Sequence, residues 1–108
     1  MTLLRIRSCK RYAVRQSIGV LRDESIETRG LLIELAQEGC RISSLDSAGF
    51  TSGDAVVLNF QDRSLRGFVR WTNPGVMGVR FEEPLFINQL DDLITRSRCE
   101  VETLRYGT

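Results

Sequence analysis

Short runs of alternating apolar and polar residues fill the chain from Ser17 to Glu83. Alternation with a period of two is typical of β-strands that bury one face. Turn-forming sequences around Gly53 and at Pro74-Gly75 separate some of these runs. The pattern predicts six strands with these inward residues: Ile18 and Val20; Leu31, Ile33 and Leu35; Cys40 and Ile42; Val56, Leu58 and Phe60; Leu65, Val69 and Trp71; Met77, Val79 and Phe81.

A narrow sheet of short strands joined mostly by tight turns removes its unpaired edges by closing on itself. We therefore predict a mainly β fold, a small six-stranded antiparallel β-barrel over residues 17–83. Glycines at positions 19, 67 and 78 lie inside the predicted strands. They suit the bulges and bends that closure requires.

After Pro84 the apolar spacing changes to that of a helix. We predict a C-terminal helix over residues 84–98, with Pro84 in its first turn. Residues 99–108 are expected to form a fraying tail. The apolar stripe of the helix is expected to pack on the barrel end, and a partner-binding face is the alternative. The stripe consists of Phe86, Leu90, Leu93 and Ile94.

The composition is that of one ordinary globular domain, with 108 residues of which 42% are hydrophobic and 27% charged. No apolar run approaches the roughly 20 residues that span a bilayer, and the first residues lack the apolar stretch of a signal peptide. The three cysteines, Cys9, Cys40 and Cys99, are scattered and odd in number, which fits a reducing compartment. We predict a cytoplasmic protein without membrane insertion.

The sequence contains no histidine, and Lys10 is its only lysine. Histidine is the commonest general base and the commonest metal ligand, so the usual Ser–His and Cys–His nucleophile systems are excluded. The composition therefore predicts a binding module rather than an enzyme, with no cofactor and no metal.

Charge is distributed in blocks, although the net charge is only +1. Residues 1–22 and 63–80 carry only basic charges, whereas residues 23–62 are mainly acidic. A general nucleic-acid binder is expected to be basic over the whole domain, so this balance argues against one. It favours a local anion site where the two basic blocks meet.

Basic side chains are concentrated in the stretch "KRYAVR", which includes Arg11 and Arg15. We expect this stretch to form a loop ahead of the first strand, within a basic N-terminal segment of residues 1–16. Guanidinium groups form paired hydrogen bonds with phosphate, which lysine cannot do. Because the spacing alone has low specificity, the alternative is a pair of solvated surface charges.

The order of motifs along the chain resembles a PilZ domain, from about Lys10 to Arg98. The matching stretches are "RYAVR", "ELAQEG", "SGDAVVLNF", "LRGFVRW" and "GVMGVRFEEPL". Members of that family have a six-stranded barrel with a C-terminal helix, and they are bacterial receptors for the second messenger cyclic di-GMP. The resemblance implies the same fold and the same ligand here.

Two family motifs bind the ligand, and the resemblance maps each onto this sequence. R-x-x-x-R is matched by Arg11 and Arg15, while D/N-x-S-x-x-G falls on Glu34, Ala36 and Gly39. Gly39 matches and is expected to be a turn glycine with positive φ. Glu34 keeps a carboxylate on a longer side chain, and Ala36 lacks the hydroxyl. The resemblance therefore implies a cyclic di-GMP site of weakened affinity.

A candidate partner surface lies in "LRGFVRW", where Arg66, Phe68 and Arg70 alternate with inward residues and are expected to share the outer face. Arginine and aromatic residues are enriched at protein interfaces. The alternative function is therefore an adaptor of PilZ type that binds no nucleotide and acts through an unidentified protein partner.

Overall fold

The computed structural model describes residues 10–22, 26–43 and 49–106, with the backbone alone for Ile26 and residues 97–106. Its elements are β1 (Arg11–Arg22), β2 (Ile26–Ala36), β3 (Gly39–Ser43), β4 (Ala55–Asn59), β5 (Ser64–Asn73), β6 (Val76–Phe81) and α1 (Ile87–Tyr106). Within these ranges, no helix has both the length and the apolar character needed to cross a membrane.

The six strands form one closed antiparallel barrel in the order β1-β2-β3-β6-β5-β4, and β4 pairs back with β1. This confirms the predicted mainly β fold with a six-stranded barrel and a C-terminal helix. The β5–β6 hairpin turns at Pro74 and Gly75, and Gly75 has a φ of 79°. Proline followed by a residue of positive φ is the pattern of a type II turn.

The barrel core consists of the predicted inward residues in four of the six strands. Alternation identifies them because each of these strands turns one face to the interior. The predicted residues found buried lie in β1, in β3, in β4 together with the residue that follows it, and in β6. They are Ile18, Val20, Cys40, Ile42, Val56, Leu58, Phe60, Met77, Val79 and Phe81.

Strand β2 departs from the predicted alternation. Leu32 and Leu35 are buried, whereas Leu31 and Ile33 are only half-buried, so the predicted inward set was wrong except for Leu35. The cause is a register shift against β3 between Leu32 and Glu34. An extra residue in one strand changes which face the following side chains occupy.

A second bulge changes the orientation of Trp71 in β5. Val69 pairs with Val79 and Trp71 pairs with Gly78, so Arg70 is an additional residue on the β5 side. Trp71 is 37% exposed on the outer face, and its predicted place in the core was wrong. Val69 is buried as predicted, and Leu65 is partly buried against the core.

The first strand begins at Arg11 rather than at Ser17. The predicted loop containing Arg11 and Arg15 is therefore the first part of β1. Tyr12 and Val14 provide inward apolar positions that extend the strand, with Val14 buried and Tyr12 packed against the core. Residues 1–9 of the predicted basic segment, including Cys9, lie outside the described residues.

Helix α1 packs chiefly against β1. Leu90, Leu93 and Ile94 are buried there as predicted. Phe86 is 73% exposed and precedes the helix, so its predicted place in the stripe was wrong. The backbone N–H of Phe86 donates a hydrogen bond of 2.8 Å to Oε1 of Gln89. This is the reciprocal half of a capping box, and it explains why the helix begins at Ile87.

The helix boundaries differ from the prediction at both ends. Pro84 lies before the helix instead of in its first turn, and the helical backbone continues through residues 99–106 of the predicted tail. The side chains of Arg98 and Cys99 lie outside the described residues.

Candidate functional site

Two neighbouring rows of outward residues cross the barrel from β1 to β5. Side chains directly opposite in antiparallel strands lie about 4.5–5.5 Å apart, so each row brings distant parts of the chain into contact. The first row follows the pairs Ala13–Glu34, Glu34–Arg41, Arg41–Gly78 and Gly78–Trp71. The second contains the pairs Arg11–Ala36, Gly39–Arg80 and Arg80–Phe68.

Small residues keep the area between these rows open. A Cβ at Gly39 would lie 2.2 Å from the carbonyl oxygen of Val79, so the close approach of β6 excludes any side chain there. Gly39 is not among the glycines with positive φ, and the predicted reason for its presence was wrong. Gly78 lies directly beneath Trp71, where a Cβ would be 2.4 Å from the indole ring.

The result is a pocket of about 330 Å³ on the outer face of the barrel. Its lining combines small residues, one indole ring and several charges. Four guanidinium groups face two carboxylates, which makes the pocket cationic. The charged lining residues are Arg11, Glu34, Glu38, Arg41, Arg70 and Arg80.

Glu34 lies between two of these arginines. Its Oε2 is 3.8 Å from Nη1 of Arg11, and its Oε1 is 4.0 Å from Nη1 of Arg41. Both distances exceed those of a hydrogen bond. Arg70 and Arg80 form no ion pair with any residue in the described ranges. The acidic side chains that line the pocket therefore neutralise only part of its cationic charge.

Arg41 and Trp71 form a cation–π pair in the lining of the pocket. The guanidinium carbon of Arg41 lies 5.4 Å from the centre of a Trp71 ring, within the range of a cation–π interaction. Nε of Arg41 is buried and has no hydrogen-bond acceptor among the described atoms. A buried donor without an acceptor destabilises the protein. An anion bound in the pocket would bring acceptor oxygens to this arginine.

The bulge that turns Trp71 outward is supported by the loop before β4. Oγ of Ser52 donates a hydrogen bond of 2.8 Å to the carbonyl of Arg70. The backbone N–H of Gly53 donates to the carbonyl of Val69 at 2.7 Å. These bonds satisfy backbone groups at the irregularity and so hold Arg70 and Trp71 toward the pocket.

Cys40 lines the pocket from the barrel side, and burial raises the pKa of its thiol far above the ordinary value. The thiol therefore stays neutral, which makes it a poor nucleophile and a poor metal ligand. No group of three cysteine or acidic side chains suited to a metal ion occurs in the part of the chain that the structure describes.

Most of the predicted ligand residues meet here. Arg11, Glu34, Ala36 and Gly39 line the pocket, whereas Arg15 does not. Arg15 lies where the pairing of β1 with β2 shifts, between Ala13 and Gln16, and its position in the strand separates it from the pocket lining. Phe68 and Arg66 are exposed on the outer face as predicted, and the third residue of that set, Arg70, belongs to the pocket lining.

Sequence reasoning did not single out Arg41 or Arg80 as site residues, and it placed Trp71 in the barrel core, with a stacking platform as the alternative. Arg41 lies between buried Cys40 and Ile42, and Arg80 occupies the equivalent outward position in β6. Alternation thus indicates their face, but it does not show that they are neighbours.

Neither a scan against protein-family models nor a search of the curated proteins found a match to this chain. The resemblance to PilZ domains therefore stays a prediction based on the motifs of the chain.

Proposed function

We propose that the protein is a cytoplasmic bacterial receptor of the PilZ type that binds cyclic di-GMP on the outer face of its barrel. The observation that supports the proposal is that one arginine of the first implied motif meets the second implied motif in one cationic pocket. Arg11 contributes the first motif, and Glu34 and Gly39 contribute the second. Arg70 and Arg80 add charge that no described acidic group neutralises.

The phosphates and the guanine base of the nucleotide have chemically suitable partners in this pocket. Arginine forms paired hydrogen bonds with phosphate oxygens and with O6 and N7 of guanine. The Glu34 carboxylate can accept hydrogen bonds from the N–H groups on the other edge of guanine. The exposed indole of Trp71 beside Arg41 offers a flat surface for a base, and base–aromatic stacking contributes about 1–3 kcal/mol per base.

The volume of the pocket suits one half of the dinucleotide. About 330 Å³ is near the lower limit of small-molecule pockets, which span about 300–1,000 Å³. The second nucleotide would extend over the outer face of β1, where Arg15 is exposed beyond the pocket. This arrangement gives the two arginines of the first motif separate contacts with one ligand.

We expect the affinity to be modest. Glu34 already interacts with Arg11 and Arg41, so binding must redistribute these contacts. Ala36 offers no hydroxyl group to the ligand. A missing neutral hydrogen bond costs about 0.5–1.5 kcal/mol, which corresponds to roughly two- to tenfold in the dissociation constant.

Isothermal titration calorimetry with cyclic di-GMP at low and high salt tests the proposal. We expect binding that weakens with salt, because the contacts are largely electrostatic. Arg11→Ala should lower the affinity about tenfold or more. Arg63→Ala is the matched control, since Arg63 does not line the pocket and its Nη2 lies 2.9 Å from Oδ2 of Asp92 in α1. Absence of binding at millimolar ligand would refute the receptor function.

The second candidate is an adaptor that binds no nucleotide and acts through a protein partner. One observation favours it, namely that Phe68 is 43% exposed on the outer face beside the pocket. If calorimetry shows that cyclic di-GMP does not bind, such an adaptor would still bind its protein partner. Phe68→Glu should then abolish the interaction while the barrel stays folded.

A further inference from the structure

Phe68 lies in the middle of a basic area on the outer face. It pairs with Ala55 of β4 on one side and with Arg80 of β6 on the other. Arg66 and Arg70 are its outward neighbours along β5, and both are exposed. We call the group Arg66, Phe68, Arg70 and Arg80 the Phe68 surface.

The charges of the Phe68 surface are not compensated within the described residues. Arg66, Arg70 and Arg80 form no ion pair there. Asp54, which lies close to this part of β5, is already engaged. Its Oδ2 accepts a hydrogen bond of 2.8 Å from the backbone of Thr51 and lies 3.4 Å from Nη1 of Arg22.

The closed barrel restricts how a partner can bind this face. At Phe68 the sheet is paired on both sides, with Ala55 of β4 and with Arg80 of β6, so no edge is free there for an added β-strand. A partner must therefore bind through side chains. An apolar residue would cover Phe68, and carboxylates would pair with the surrounding arginines. Aromatic residues and arginine are the commonest sources of strong interface contacts.

We propose that the Phe68 surface binds an acidic protein segment that carries an apolar residue. A nucleic acid is the less suitable occupant because its backbone requires an extended basic path. Here Glu82 and Glu83, both exposed directly after β6, interrupt the basic area beside Arg66, whose carbonyl accepts a hydrogen bond of 2.8 Å from the backbone N–H of Glu82.

The same arginines connect this surface to the pocket. Arg70 and Arg80 belong to both groups. A ligand that pairs with them in the pocket withdraws two cationic groups from the Phe68 surface. We infer that cyclic di-GMP and the acidic segment compete, a regulatory consequence that rests on the proposed function.

Fluorescence anisotropy with a labelled model peptide tests the surface itself. The probe is a fluorescein-labelled peptide of Asp and Glu residues around a central Leu-Phe pair. Its controls are the same peptide with Asn and Gln in place of the acids, and an oligouridylate. We expect binding of the acidic peptide only, weakened about tenfold or more by Phe68→Glu or Arg66→Glu. Circular dichroism confirms that the variants are folded.

Phe86→Glu is the matched control, because Phe86 is also an exposed phenylalanine but lies outside the Phe68 surface. It should leave peptide binding unchanged. Equal losses in both phenylalanine variants would overturn the proposal, as would binding of the neutral peptide. Tighter binding of oligouridylate would assign the surface to nucleic acid instead.

Adding cyclic di-GMP to the peptide complex tests the competition. Displacement of the peptide at the ligand concentrations that saturate the pocket is the expected result. If calorimetry shows nucleotide binding but the peptide stays bound, the competition is refuted. If no nucleotide binds while the peptide still depends on Phe68, the receptor function fails and the partner surface stands.

Discussion

Two groups of arginines in this barrel differ in how their charge is balanced. Arg63 and Arg96, which we call the helix-anchoring arginines, form ion pairs with two carboxylates. Nη2 of Arg63 lies 2.9 Å from Oδ2 of Asp92, and Nε of Arg96 lies 3.2 Å from the same atom. Arg96 also forms a close hydrogen-bonded pair with Asp62. These contacts connect α1 to the β4–β5 turn.

The pocket arginines, Arg11, Arg41, Arg70 and Arg80, have no comparable set of partners. Arg11 and Arg41 share Glu34 at 3.8 and 4.0 Å, and the other two have no ion pair with the described residues. The residue type is the same in both groups, so arginine content does not identify a binding site. What distinguishes the pocket is unbalanced charge around an open volume.

The largest expected effect concerns Arg41. Arg41→Ala removes the pocket guanidinium that forms a cation–π pair with Trp71, and a hydrogen bond to a charged group contributes about 1.5–3 kcal/mol. We expect cyclic di-GMP affinity to fall about 10- to 100-fold, measured by calorimetry. Arg63→Ala should leave the affinity unchanged. If the two variants lose affinity equally, the distinction between the two groups of arginines does not hold.

A smaller effect of opposite sign is expected from Glu34→Asp combined with Ala36→Ser. The shorter carboxylate moves back from Arg11 and Arg41, and the serine adds a hydroxyl to the pocket lining. Two additional hydrogen bonds of about 0.5–1.5 kcal/mol each would tighten binding roughly tenfold.

Arg11→Ala in the double-variant background should cancel most of this gain, because contacts within one site are coupled. A double variant that folds normally but binds no better than the parent would show that the site is not limited by its second motif. Calorimetry measures both variants under one salt condition.

Substitution of a helix-anchoring arginine should change the stability of the protein but not its binding of cyclic di-GMP. Arg96→Ala removes both of its contacts, with Asp62 and with Asp92. We expect a lower Tm in thermal unfolding and an unchanged affinity for cyclic di-GMP. The decrease should be small, because exposed ion pairs contribute little individually. Loss of binding at unchanged Tm would assign Arg96 to the ligand site.

The smallest effect is a dependence of stability on acid pH. The hydrogen bond from Arg96 holds the pKa of Asp62 below its ordinary value of 3.8. A lowered pKa in the folded state stabilises the protein above pH 3.8, and this contribution is lost as the pH falls through the lowered pKa. Asp62→Asn should therefore show a smaller loss of Tm below pH 3.8 than the parent. An identical acid profile would contradict a contribution from this pair.

Alternation predicted the inward residues correctly where no register shift interrupts the alternation along a strand, as for Val56 and Leu58 in β4. It failed at Ile33 and Trp71, which lie at register shifts in β2 and β5. A bulge arises from pairing with a neighbouring strand, so the run of apolar residues in one strand does not reveal it. The loop that supports the β5 bulge through Ser52 is also distant in sequence.

The sequence by itself determined the closed barrel, the C-terminal helix and the candidacy of Arg11, Glu34 and Gly39 for a ligand site. The barrel and the helix follow from local periodicity and turn residues, whereas Glu34 and Gly39 are implied only by the resemblance to PilZ domains. Only the tertiary structure decided that Arg41 and Trp71 complete the pocket and that Arg15 lies outside it. The physical reason is strand register, because hydrogen bonding between distant strands sets which outward side chains become neighbours.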